Sequence, residues 1–204
     1  MTKDSLIVRK EFLKDTLQSI VTYRKDTLIK EGKATYYEHG KSIEEMYYSD
    51  NKLAGSHLIY DETGLKLYIC HDSYGDTVFL RKYKGKEIVF ETGKILPHGV
   101  LSDSHFETDG TITYASFIVK PPFTKIWINS FLINLNNNDT IKPIGTEVNY
   151  DWGHYYTFKV ISNNQYKYYQ CTYFIDSLKN PSKLIRIIDT VFYNSIITKR
   201  NEKR

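Results

Sequence analysis

The sequence predicts an all-β fold: an N-terminal antiparallel β-hairpin repeat meander followed by a β-sandwich. Three observations predict it. Aromatic and glycine landmarks recur in the first third, with Tyr37 to Tyr60 and Gly32 to Gly55 both separated by 23 positions. A period within about 20–50 residues marks a small supersecondary unit stacked on its neighbours. Strand-favouring side chains are abundant, with 18 Tyr in 204 residues. Turn-forming residues then cut the chain into short segments at regular intervals.

From the N-terminus, Leu6–Phe12, Leu17–Tyr23 and Ala34–Tyr37 read as strands. Lys14-Asp15, Lys25-Asp26, Glu31-Gly32, His39-Gly40, Asp50-Asn51, Thr63-Gly64, Tyr74-Gly75 and Lys84-Gly85 read as turns between short strands. Gly and Asn tolerate the positive φ of tight hairpins, which predicts positive φ at Gly40 and Gly64. Lys41–Tyr48 contains the helix formers Glu44, Glu45 and Met46. It is too short between its turns for an independent helix and reads as a strand. The densest polar stretch, 97–110, marks a boundary between a repeat domain at 1–96 and a sandwich domain at 111–204. In the second half Thr111–Lys120, Lys125–Leu135, Thr146–Tyr150, His154–Ile161, Tyr166–Ile175 and Lys183–Tyr193 are the expected strands. Ile126 with Ile128, and Tyr166 with Tyr168, show the period of two. Six such strands predict an antiparallel sandwich, with an immunoglobulin-like arrangement as the expected architecture.

Composition bounds the function. Aromatics at 15% exclude a disordered chain. Net charge is +4, with Lys and Arg scattered among Asp and Glu, so no nucleic-acid footprint is expected. The basic tail from Lys199 to Arg204 reads as a solvated end. No apolar run is long enough for a membrane span, and no secretory leader is visible. Cys70 and Cys171 lie in different halves without metal-ligand spacing and read as buried thiols, with a single long-range disulfide as the alternative in an exported protein.

The segments Tyr36-Tyr37-Glu38-His39-Gly40-Lys41-Ser42-Ile43-Glu44-Glu45 and Asn51-Lys52-Leu53-Ala54-Gly55 resemble MORN-type repeats. They are most similar to the bacterial YwqK antitoxin-like variant, over residues 8–90. His39 stands where that pattern has Asn. The third unit departs from the pattern after Lys66, with Tyr83-Lys84-Gly85-Lys86-Glu87 as its last remnant. The resemblance implies stacked β-hairpins used as scaffolds and binding surfaces. Repeats followed by a sandwich also resemble the layout of exported bacterial surface proteins. This implies an extracytoplasmic setting, with a lipid anchor if a leader was removed.

Catalytic signals are weak. None of the six His forms a ligand pair at helical spacing. His98, Asp103, His105 and Asp109 cluster in the boundary segment and read as a polar loop rather than a metal site. His71-Asp72-Ser73 has triad residue types, but triad members converge from separate elements. Glu44-Glu45 and Asp61-Glu62 are neighbours that a strand would turn to opposite faces. No phosphate loop or cofactor motif is present. The tyrosine surplus remains, and Tyr36, Tyr47, Tyr60, Tyr155 and Tyr168 are the candidate binding aromatics. The expectation is a non-catalytic binding or scaffold protein contacting a protein or glycan. Two alternatives stand beside it: a cytoplasmic antitoxin-like protein that caps a toxin, and a metal-dependent enzyme using His98, Asp103 and His105.

Overall fold

The computed structural model describes residues 5–93, 97–98, 110–149, 153–160, 166–179 and 181–191. All regular elements among them are β-strands. The chain divides into two compact units, the first running to Ile95 and the second beginning at Leu96; Val119–Phe123 belong to the first.

The first unit is an eight-stranded antiparallel meander in sequence order. Its strands are β1 (Leu6–Leu13), β2 (Thr16–Arg24), β3 (Lys30–Glu38), β4 (Lys41–Ser49), β5 (Lys52–Asp61), β6 (Gly64–His71), β7 (Thr77–Lys84) and β8 (Glu87–Gly93). The Lys41–Tyr48 stretch is a strand, as its length requires. The turn residues explain the hairpins. Lys14-Asp15, His39-Gly40 and Asp50-Asn51 all take positive φ, between 48° and 76°. Two central residues at positive φ make a type I′ turn, whose twist matches that of paired strands. Gly64, at φ 117°, closes the β5–β6 turn, where Asp61 accepts hydrogen bonds from the Thr63 backbone N–H and hydroxyl at 2.8 and 2.6 Å.

The bulges recur every second strand. Register shifts fall at Tyr36/Tyr37, Ile59/Tyr60 and Lys82/Tyr83, so Tyr37, Tyr60 and Tyr83 occupy one position at steps of 23. The third unit therefore keeps the period that its sequence loses after Lys66. Pairing aligns Arg9, Val21, Ala34, Met46, His57, Ile69, Leu80 and Thr92 in one row across all eight strands. Val21, Ala34 and Met46 form a buried cluster, flanked by Tyr23, Tyr36, Tyr48 and Leu53. Ala34 is small, which leaves room for the flanking rings to pack against the cluster. The opposite face carries Glu45, Leu58, Tyr68 and Arg81 in the neighbouring row. There Arg81 is fully buried and its Nε and Nη2 reach Glu91 Oε2 at 2.7 and 2.6 Å.

The second unit is a sandwich. Its first sheet has the order β13 (Gly145–Asn149), β14 (Gly153–Lys159), β10 (Thr111–Ile118), β9 (Pro97–His98). Its second has the order β12 (Thr140–Ile141), β11 (Thr124–Asn134), β15 (Tyr166–Asp176), β16 (Ile185–Val191). Lettered by sequence, these are A-B-E-D against C′-C-F-G, the immunoglobulin-like order. Ile112, Tyr114, Tyr156 and Phe158 of one sheet meet Leu132, Tyr166 and Tyr168 of the other in the core. Cys70 and Cys171 are buried thiols, one in each unit.

Candidate binding surface

Strand alternation sorts the aromatics of β11 and β15 into two sets. Ser130, Leu132, Tyr166, Tyr168, Gln170 and Thr172 point into the sandwich and are buried. Lys125, Trp127, Asn129, Phe131 on β11 and Lys167, Tyr169, Tyr173 on β15 take the other side. There Trp127 lies opposite Tyr173, and Phe131 opposite Tyr169. The Phe131 and Tyr169 rings stack at 5.3 Å with an interplanar angle of 7°. The Lys167 ammonium sits 5.0 Å from the Tyr169 ring centroid, in range of a cation–π contact. Trp127 is 48% exposed. Two long paired strands thus hold four rings and a cation on one outward face.

The sequence-predicted residues do not converge on this face. Tyr168 is corrected outright: it is 3% exposed and belongs to the core. Its ring stacks on Tyr114 at 4.7 Å, and its hydroxyl bonds Ser130 Oγ at 2.9 Å and donates to Gln170 Oε1 at 3.0 Å. Burial, opposed by the Ser130 hydrogen bond, raises its phenol far above the ordinary value. Its neighbour Tyr169 is the outward member of the pair. Tyr155 is half-buried on β14, while the adjacent Tyr156 fills the core. Tyr36 flanks the buried row of the meander with Tyr48, whose phenol is raised by burial and by the nearby Tyr36. Tyr47 and Tyr60 occupy the opposite meander face, beside the Lys33–Glu45 ion pair at 2.6 Å. Trp127 and Phe131 escaped selection, although Ile126 and Ile128 alternate with Trp127 and mark it as outward.

The polar candidates resolve separately. Glu44 and Glu45 point to opposite faces, Glu44 to His57 Nε2 at 2.7 Å and Glu45 to Lys33. His57 and His71 stack at 5.8 Å. His71 Nδ1 lies 3.2 Å from the Gly75 carbonyl, leaving Nε2 buried without a hydrogen-bond partner. Burial chiefly holds the His71 imidazole below its ordinary 6.5, which keeps it neutral. Asp72 accepts from the Tyr74 and Asp76 backbone N–H groups at 2.9 and 3.0 Å, so its carboxylate shapes a turn rather than orienting His71. Among the described residues no group of three His, Cys, Asp or Glu could hold a metal. The backbone of His98 pairs with Phe117, and Asp103, His105 and Asp109 lie outside the described residues. No described helix is long and apolar enough to cross a membrane.

Compared with known proteins, the chain matches no family model, no curated protein and no solved structure.

Proposed function

We propose that this chain is a non-catalytic binding or scaffold protein. It contacts a protein or glycan through the outward face of β11 and β15, with the MORN-like meander as its scaffold. The supporting observation is the four-ring face: Trp127 and Tyr173 opposed, Phe131 and Tyr169 stacked, and Lys167 against Tyr169. A buried ring is explained by packing. Trp127, half in water beside three half-buried rings, needs another explanation, because exposed rings in a group mark interaction surfaces. Trp and Tyr supply much contact area for little lost conformational entropy. Regular strands fix these rings before any ligand arrives.

Glycan and peptide arrays probed with the purified chain and with Trp127→Ala test the reading. A ligand class bound by the native chain and weakened about tenfold or more in the variant supports it, the size expected of an aromatic anchor. Equal binding by both proteins, with unchanged folding, would place the contact elsewhere.

A further inference from the structure

We propose that β1 is a self-complementary edge that joins two copies of this chain into one continuous sheet. β1 stands at the end of the meander order. Leu6, Val8, Phe12 and Leu13 are 48%, 60%, 60% and 63% exposed, an unusual apolar load for an edge strand.

The outward backbone groups can be assigned. The Lys25 N–H donates to the Ser5 carbonyl at 2.9 Å, and Leu13 flanks the tight turn opposite Thr16. Backbone direction alternates along a strand, so Ser5, Ile7, Arg9, Glu11 and Leu13 bond β2. Leu6, Val8, Lys10 and Phe12 therefore turn their N–H and C=O groups away from it.

Symmetry then selects the register. A two-fold axis joining antiparallel copies of one strand stands perpendicular to the sheet, midway between one residue and its own copy. Centred on Lys10, Arg9 faces Glu11 of the second copy, Val8 faces Phe12, and Ile7 faces Leu13. Centred on Arg9, Val8 would face Lys10 and Ile7 would face Glu11. Centred on Glu11, Lys10 would face Phe12 and Arg9 would face Leu13. Of these three registers only the Lys10 one sets Arg9 against Glu11 and both Val8 and Ile7 against apolar residues; Leu6, at the strand end, faces Lys14 of the turn. The Lys10 register also makes Val8–Phe12 and Lys10–Lys10 the hydrogen-bonded pairs, which uses the outward groups in about six main-chain bonds. The Arg9 guanidinium rests 5.4 Å from the Tyr23 ring centroid, and Glu11 is held at one oxygen by the Ser19 hydroxyl at 2.9 Å. Both charges are thus positioned at the edge. The facing Lys10 pair is the one repulsive contact and keeps the association reversible.

Sedimentation velocity from about 1 μM to about 1 mM spans the range of such a small interface. The native chain should shift with concentration from 24.0 kDa to twice that mass. Arg9→Glu and Glu11→Arg should each stay monomeric, because each places like charges opposite one another twice. The double variant Arg9→Glu/Glu11→Arg should recover the dimer. Lys10→Pro removes an outward N–H without touching the bonds to β2, and should also be monomeric with unchanged circular dichroism. A native chain that stays monomeric throughout would overturn the proposal. So would assemblies larger than a dimer, or a double variant that fails to recover what the single variants lose.

Discussion

Leu28 is a misfit whose relief can be measured. It has φ 54° and is 48% exposed. Its loop is closed by the Arg24 N–H to the Ile29 carbonyl at 2.8 Å and the Leu28 N–H to the Arg24 carbonyl at 3.0 Å. The β11–β12 loop repeats this geometry, with the Asn134 N–H to the Asp139 carbonyl at 2.9 Å and the Asn138 N–H to the Asn134 carbonyl at 2.8 Å. There the left-handed position holds Asn138, at φ 62°. Left-handed backbone costs an ordinary L-residue roughly 1–2 kcal/mol, and Asn tolerates it better. Since half of Leu28 stays in water, little burial is lost by replacing it. Leu28→Asn should therefore stabilise the chain by about 0.5–1 kcal/mol. For a chain of this size, each kcal/mol raises Tm by roughly 2–4 °C. The reciprocal change, Asn138→Leu, should destabilise by a similar amount. Urea midpoints with unchanged slope measure both. A destabilised Leu28→Asn would show that the leucine packs rather than strains, and the reasoning would fail.

Three other outcomes are expected. Gly40→Ala should destabilise by about 1 kcal/mol through backbone strain alone, since an added Cβ meets nothing within 4 Å; Gly93→Ala should cost more, because its Cβ would lie 2.3 Å from the Val78 carbonyl oxygen. Thermal melts rank the two, and the reverse order would contradict the turn assignment. Tyr168→Phe should cost about 1–3 kcal/mol by stripping the buried Ser130 and Gln170 of a partner, whereas Tyr169→Phe should be nearly neutral in denaturant unfolding. The depressed imidazole of His71 takes a proton less readily folded than unfolded, so its contribution to stability is full above pH 6.5 and falls as the pH drops through 6.5 toward the folded value. Urea midpoints from pH 7.5 to pH 5 should decline, and less steeply in His71→Gln; identical slopes would remove His71 from the explanation.

Much of the fold was legible because turns carry chemistry. His39-Gly40, Asp50-Asn51 and Thr63-Gly64 announce hairpins at any burial. The third repeat was obscured because Val78 stands 23 positions beyond Gly55, and only Tyr83 keeps the landmark. The binding face was harder to read. In β15 both sides are rich in Tyr, and polar Gln170 and Thr172 sit inside, so the period of two is hidden. Burial of their hydrogen-bonded ladder is a tertiary fact, set by Ser130 across the sheet. The His57–His71 contact is a diagonal across β5 and β6, where His57 pairs with Ile69 and Gly55 with His71, and that pairing register is not written in the sequence spacing.

Trp127 fluorescence tests the binding face most directly. The chain has two Trp, so Trp152→Phe leaves Trp127 as the sole reporter. At 48% exposure its emission should be that of a solvated indole. Titration with the ligand class found on the arrays should shift that emission to the blue, saturating with the binding isotherm. A ligand that binds at full affinity while the Trp127 emission stays unchanged would contradict the assignment of this face as the binding surface.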